Sequence, residues 1–387
     1  MRIKKYCALA AWRFLLAGGV LFGLIGLVSA LPLHASAAYR FADFSGHPPI
    51  HVLRATAAAS PSGVTPAQIK TIYHLPAMGG SGTIAIIDAY DTPNIENDLA
   101  VFSAKFGLAA CTAKNGCFEK HKMASSTGKN GGWGLESSLD VEWAHAIAPQ
   151  AKILLVEAKT PSGANLLAAI DYAASRKDVV AISMSWGGAE FSDEVSLEPH
   201  FSSKYGAAFF ASSGDDGTGV SWPAASPRVV GVGGTSLTLT ASGAFTGESA
   251  WSGSGGGVSA YEPQPDYQKT YAIARANGHR AVPDVAYDAD PASGFPVYRT
   301  MGAPGASTVG WYTVGGTSAG APQWAALHAL AHSAVLPKLY ADKASSSTSV
   351  FFRDITSGAN GTCKYYCNAR ARYDYVTGLG APQTAKF

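Results

Sequence analysis

Thr83-Ile84-Ala85-Ile86-Ile87-Asp88 is an unbroken apolar run closed by an acid. A run this short and this rich in isoleucine reads as a parallel strand buried on both faces. The neighbouring segments extend the pattern. Residues 95–106 have helical spacing, 151–157 are strand-like, 165–175 helical, 179–185 strand-like, 194–205 helical and 207–213 strand-like. Upstream, Thr65-Pro66-Ala67-Gln68-Ile69 carries a helix start, with a capping threonine and proline in the first position. This alternation predicts right-handed βαβ units: an α/β fold with a mostly parallel central sheet and helices on both faces. Functional groups in such sheets gather at the carboxyl ends of the strands.

The chain has 387 residues, 47% of them hydrophobic and only 14% charged, enough for a large core in one or two domains. With a formal net charge of +2 and no Lys/Arg cluster in its body, it has no footprint for nucleic acid. Arg2, Lys4, Lys5 and Arg13 precede an apolar run over 14–33, and Ala35-Ser36-Ala37 offers a small-residue cleavage site. Residues 1–37 therefore read as a secretory signal, predicting an extracellular or periplasmic protein with no membrane association after cleavage. An uncleaved anchor is the alternative, because the apolar run is long for a signal. Residues 38–64, with His47-Pro48-Pro49 and Ser60-Pro61-Ser62, read as a short leader strap or linker, and 65–387 as the main domain.

Cys7 falls in the signal, and the pairs Cys111/Cys117 and Cys363/Cys367 each close a short loop. In an exported chain these predict two local disulfides, and the lack of a histidine near either pair in sequence counts against zinc. The glycine-rich stretch 252–257 lacks the strand and lysine of a phosphate loop.

Three features carry chemistry. Gly315-Gly316-Thr317-Ser318-Ala319-Gly320-Ala321-Pro322 delivers a serine to the start of an apolar helix running through Leu330, where backbone N–H groups point at the reaction centre. Subtilisin-type enzymes present a nucleophile this way, with a histidine base in a His-Gly-Thr setting, but the sequence has no His-Gly-Thr. It has instead Glu136-Ser-Ser-Leu-Asp140, two carboxylates one helical turn apart. A bare pair of this kind is ordinarily a solvated acidic face. Here Leu139, Trp143 and Ile147 mark the helix as apolar, and no Lys or Arg accompanies the acids, which favours a functional pair. His145 lies about half a turn out of phase with Glu136. Asp215, after Ser212-Ser213-Gly214 at a strand end, reads either as a turn or cation-binding acid or as a neutral acid donating to an oxyanion.

In order and spacing these features resemble the sedolisin family, serine-carboxyl peptidases of subtilisin-like fold. The resemblance extends from about Thr65 to Pro382 through Ser183-Met-Ser-Trp-Gly187, Ser213-Gly-Asp215, Val232-Gly-Gly-Thr235, Gly255-Gly-Gly-Val-Ser259, Pro283-Asp-Val285, Asp290-Pro291 and Gly316-Thr-Ser318. It implies Ser318 as nucleophile, Glu136 as general base, Asp140 as its orienting partner and Asp215 in the oxyanion hole. It implies a calcium site in which Asp354 and Asp374 are joined by the carbonyls of Ile355, Arg370 and Arg372, the last two standing where the family favours glycine. Ser185, Trp186, Gly187, Gly255 and Gly256 are the candidate substrate-binding positions, the first three as an edge for strand addition. Asp88 sits where the subtilisin aspartate would be and, without a histidine partner, reads as a supporting residue.

The expectation is a secreted, monomeric endopeptidase acting on proteins or peptides through an acyl-enzyme. A bell-shaped profile at roughly pH 3–5 should follow, because Glu136 must be ionised and Asp215 protonated. A tripeptidyl peptidase of the same family, an inactive binding homologue and a histidine-dependent enzyme using Asp88 and His145 are the competing readings. Relatives generally carry a long folded propeptide, for which the stretch after the signal is too short.

Overall fold

The structure, a computed structural model, describes residues 40–54, 56–300, 309–345 and 350–387. The predicted signal, residues 1–37, lies outside the described residues.

Eight strands form the central sheet. Seven of them follow one another in the order Phe245–Ala250, Val229–Leu239, Ala208–Ser212, Val179–Met184, Thr83–Ala89, Lys152–Ala158 and Phe118–Lys122. All neighbours in this order are parallel except Phe245–Ala250, which returns antiparallel on Val229–Leu239. Val285–Asp288 adds to Val229–Leu239 in parallel. The Thr83–Ala89 strand lies near the middle, and all its residues are buried.

Its alternate side chains feed two separate cores. Ile84 and Ile86 pack with Leu139, Trp143 and Leu327 on one face, while Ala85 and Ile87 pack with Val156, Leu166 and Ile170 on the other. That two-sided burial is why the run is apolar without alternation. The helices Gly131–Ile147 and Gly320–Ala331 pack against each other on the first face, and Gly163–Ala174 covers the second. The parallel sheet with helices on both faces is therefore as the sequence predicts.

Several elements match closely: Pro66–Ile72 with its reciprocal Thr65–Gln68 cap, Ile95–Phe106, and Gly163–Ala174. The predicted helix over 194–205 is instead a 3-10 segment, Glu194–His200, containing Pro199. Proline removes a donor from a regular helix, and the Glu194 side chain is tied to the Phe191 N–H. Both disulfides form, Cys111–Cys117 and Cys363–Cys367. Among the described residues no helix is long and apolar enough to cross a membrane.

The stretch before Thr65 lies along this body. His51–Val52 pairs antiparallel with the Gly310–Gly315 strand, and His47 bridges to Gly187.

Candidate active site

The serine turn is assembled from a strand, a glycine and a helix. The Gly310–Gly315 strand ends at Gly316, whose φ of 113° places it in the left-handed region that suits glycine. Thr317–Ala319 make a 3-10 turn that feeds the Gly320–Ala331 helix. Ser318 is fully buried at this junction, with its hydroxyl 3.5 Å from the Ser185 carbonyl oxygen.

The two acids come from the Gly131–Ile147 helix, started by Asn130, whose side-chain oxygen accepts from the Gly132 and Trp133 N–H groups. Every residue of this helix except Gly132 is buried, so Glu136 and Asp140 have no solvated face to occupy. Burial pushes the Glu136 carboxyl well above its ordinary range; Asp88 and Asp215 push it further, while the Ser318 hydroxyl and Asp140 oppose them. Asp140 is raised in the same way, by burial and then by Asp88 and Glu136, with the Ser185 side chain opposing. Burial raises Asp88 to about 7, with the nearby Ser137 side chain opposing and Glu157 adding to the rise. Their mutual repulsion couples these groups, so they titrate as a set.

Asp215 follows Gly214, which has φ 103°. Its Oδ1 accepts from the Thr317 N–H and the Thr317 hydroxyl, both at 2.8 Å, which ties it to the serine turn. Its Oδ2 meets His51 Nε2 at 3.2 Å. Burial raises the Asp215 carboxyl, and His51 is the largest opposing influence. The structure thus brings Ser318, Glu136, Asp140 and Asp215 to the carboxyl edge of the sheet, as the sequence suggested. Asp88 belongs to the same cluster.

The substrate-binding positions divide. Gly187 and Gly255 line a cleft of about 530 Å³ beside Asp215. Gly256 lines an adjoining hollow with Gly219 and Val220. Ser185 is buried, and its hydroxyl donates to the Ser318 carbonyl. Trp186 departs from expectation. Its indole is fully buried and donates to the Ile87 carbonyl at 2.9 Å, and it lines neither hollow.

His145 is also spoken for. Its ring lies 2.8 Å from the Ala109 carbonyl oxygen, near the Cys111–Cys117 disulfide. Those two cysteines and His145 cluster as metal ligands would, but both thiols are consumed in the disulfide.

At the candidate calcium loop, Asp374 accepts from the N–H groups of Val376, Thr377 and Arg370 and from the Thr377 hydroxyl. Asp354 accepts from the Arg372 N–H at 2.9 Å. Burial nevertheless raises Asp374 to about 6, so its negative charge is incompletely compensated. The Arg370 guanidinium lies over the Tyr365 ring and that of Arg372 over Tyr271. Asp354 and Asp374 are carboxylates of the type a hard cation takes, but the Asp374 oxygens already accept from N–H and O–H donors and the arginine guanidinium groups nearby oppose a cation.

Sequence reasoning missed His51, whose ring reaches the Asp215 carboxylate from the strap before Thr65. The adjacent prolines, which favour an extended chain, were the available signal.

A serine delivered by a strand-to-helix turn, facing buried carboxylates at the edge of a doubly covered parallel sheet, defines a class of subtilisin-like folds. Comparisons agree. The subtilase family model matches residues 122–349. Sedolisin of Pseudomonas sp. (strain 101) is 29% identical over 85% of this chain and 61% of its own length. Kumamolisin of Bacillus sp. (strain MN-32) is 33% identical over 84% of this chain and 63% of its own. A solved Pseudomonas sedolisin, described as a serine-carboxyl proteinase complexed with two molecules of pseudo-iodotyrostatin, superimposes with a TM-score of 0.70 at 26% identity, covering 84% of this chain and 96% of that one. The chain belongs to the subtilase family, in its sedolisin group. It spans about three fifths of the length of these curated relatives.

Proposed function

We propose that this chain is a secreted serine-carboxyl endopeptidase that hydrolyses peptide bonds at acid pH through an acyl-enzyme. The observation that carries the reading is the burial of Glu136 and Asp140 against Ser318, with Asp215 tied to the same turn. Ser318 Oγ attacks the scissile carbonyl carbon while Glu136 takes its proton. Asp140 holds Glu136 in place. The resulting oxyanion is held by the Ser318 N–H and by neutral Asp215. Glu136 then protonates the leaving amine, and water resolves the ester by the reverse exchange. Among the described residues no histidine ring hydrogen-bonds to Ser318, which disfavours the histidine-dependent alternative.

Glu136 must be ionised and Asp215 protonated in the same molecule, so the optimum is acid. Secretion is supported by the two disulfides. One calcium ion would be held by Asp354, Asp374 and the carbonyls of Ile355, Arg370 and Arg372; when bound it would neutralise buried charge and brace the loop.

The test is hydrolysis of N-terminally blocked and free peptides by wild type and Ser318→Ala. Cleavage of blocked peptides by wild type alone supports the endopeptidase. Cleavage restricted to free N-termini supports a tripeptidyl peptidase, and none by either protein supports a binding homologue.

A further inference from the structure

The strap before Thr65 gives the cleft a register. His47 and Gly187 exchange both backbone hydrogen bonds, at 3.0 and 3.1 Å, and His51 and Val52 pair with Gly315 and Val314. Between these anchors the Ser318 N–H points at the Pro49 carbonyl oxygen, 3.4 Å away. The carbonyl at position 49 thus marks where an attacked carbonyl would lie, and the side chain at 51 marks the second position on the leaving-group side. That side chain meets a defined surface. His51 Nε2 lies 3.2 Å from Asp215 Oδ2, and its ring stands edge-on to Trp251 with the ring centres 5.7 Å apart. The bond to Asp215 raises the His51 pKa most, and the charge of Asp216 adds to the rise.

The two acids are not equivalent. Asp215 rests on the Thr317 N–H and hydroxyl, and the reaction proposed above uses it as a neutral donor. Asp216 beside it is exposed, and among the described residues no hydrogen bond or ion pair engages its carboxylate. The backbone fixes its place. Gly214 and Gly217 flank the pair with φ of 103° and 74°, and the Gly217 N–H donates to the Gly253 carbonyl at 2.9 Å, which holds this turn against the segment carrying Trp251. A Cβ on Gly217 would strike the Asn360 carbonyl oxygen, so the turn cannot move back from the cleft. Apart from the two histidines of the strap, Asp215 and Asp216 are the only titratable groups among the described residues that line the cleft of about 530 Å³; the rest of that wall is glycine, alanine, valine, serine and threonine.

We infer that Asp216 and Trp251 form a subsite that selects a basic side chain on the leaving-group side of the scissile bond, at the position His51 marks. The inference rests on the peptidase reading above. An exposed turn aspartate is ordinarily solvated surface. This one stands on a fixed turn, in the wall of the cleft, with a base seated beside it. A lysine or arginine there gains from both the carboxylate and the indole, whereas a glutamate is repelled by the carboxylate and gains nothing from the ring. No basic side chain of the cleft wall offsets this field. The His51 ring is half-exposed, so the longer stem of a lysine or arginine has room along the same path.

The full chain is assayed at pH 5 on N-terminally blocked peptides of one parent sequence, with lysine, alanine or glutamate placed in turn at the first, second and third positions after the cleaved bond. The quantity read is the ratio of kcat/KM for lysine to that for glutamate at each position. Wild type should favour lysine about tenfold at the second position, with no such preference at the first or third. Asp216→Asn should bring the ratio close to one, and Asp216→Lys should invert it. Because each ratio is taken within one variant, a lower overall rate or a smaller folded fraction does not move it, and an inversion is not something a merely structural aspartate would produce. A wild type that cleaves lysine and glutamate peptides alike, or a lysine preference that survives Asp216→Lys, overturns the subsite and spares the peptidase reading. A wild type that hydrolyses none of the peptides overturns that reading and the subsite with it.

Discussion

The proposed roles require Asp215 and Glu136 to hold opposite protonation states in one molecule, although burial raises both carboxyls. Glu136 sits inside a helix among other acids, while Asp215 rests on the Thr317 N–H and hydroxyl. Glu136→Gln keeps the shape but cannot accept a proton, so kcat/KM should fall about 10²–10⁴-fold, measured against a blocked peptide. Asp215→Asn replaces a titrating donor with a permanent one. Its activity should persist to higher pH, with the alkaline limb of the profile shifted upward or lost; an unchanged limb would remove Asp215 from the oxyanion role. Glu136 is fully buried and Asp215 nearly so, so a thermal melt of each variant separates loss of chemistry from loss of fold.

At the scale of elements, what positions the site is largely close packing of backbone. A Cβ on Gly255 would run into the Ser213 carbonyl oxygen, one residue from the Gly214–Asp215 turn. Gly255→Ala should therefore cost about 1–3 kcal/mol in denaturant titrations and lower activity by displacing Asp215. The loop bearing Asp354 and Asp374 invites a cation test: calcium at a hundredfold over its Kd should raise stability by ~2.7 kcal/mol, and a chelator should reverse it. A melt indifferent to both would leave that loop a hydrogen-bonded turn. The site acids and the strand-helix order were legible because burial on both faces imposes a local pattern, as in Thr83–Ala89 and the apolar spacing around Glu136. The strap was not legible. Its place is set by long-range pairing of His47 with Gly187 and His51 with Gly315, which leaves no periodic trace in the sequence. Trp186 misled for a related reason: its position in the chain marks the cleft edge, while its side chain turns into the core.

For the whole molecule, the buried carboxyls make stability pH-dependent with a definite sign. Burial raises Asp88 to about 7, Glu262 to about 8 and Glu194 to about 9. In the unfolded chain these groups titrate near ~4. Above that pH the folded state holds protons that the unfolded state has released, so the stabilisation is full below about pH 4 and is lost as pH rises through about 7–9. Glu119, lowered by its bond to Arg176, works in the opposite direction but stands against a larger set. The melting temperature should therefore be higher at pH 4 than at pH 8, as a scan by calorimetry would record. In the proposed mechanism carboxyls also set the chemistry, and the pH dependence of kcat/KM on a blocked peptide tests this most directly. Activation of Ser318 by carboxyls predicts a bell confined to acid pH, abolished in Glu136→Gln. A single limb rising through the histidine range near ~6.5 to a neutral or alkaline plateau, retained in Glu136→Gln, would contradict it.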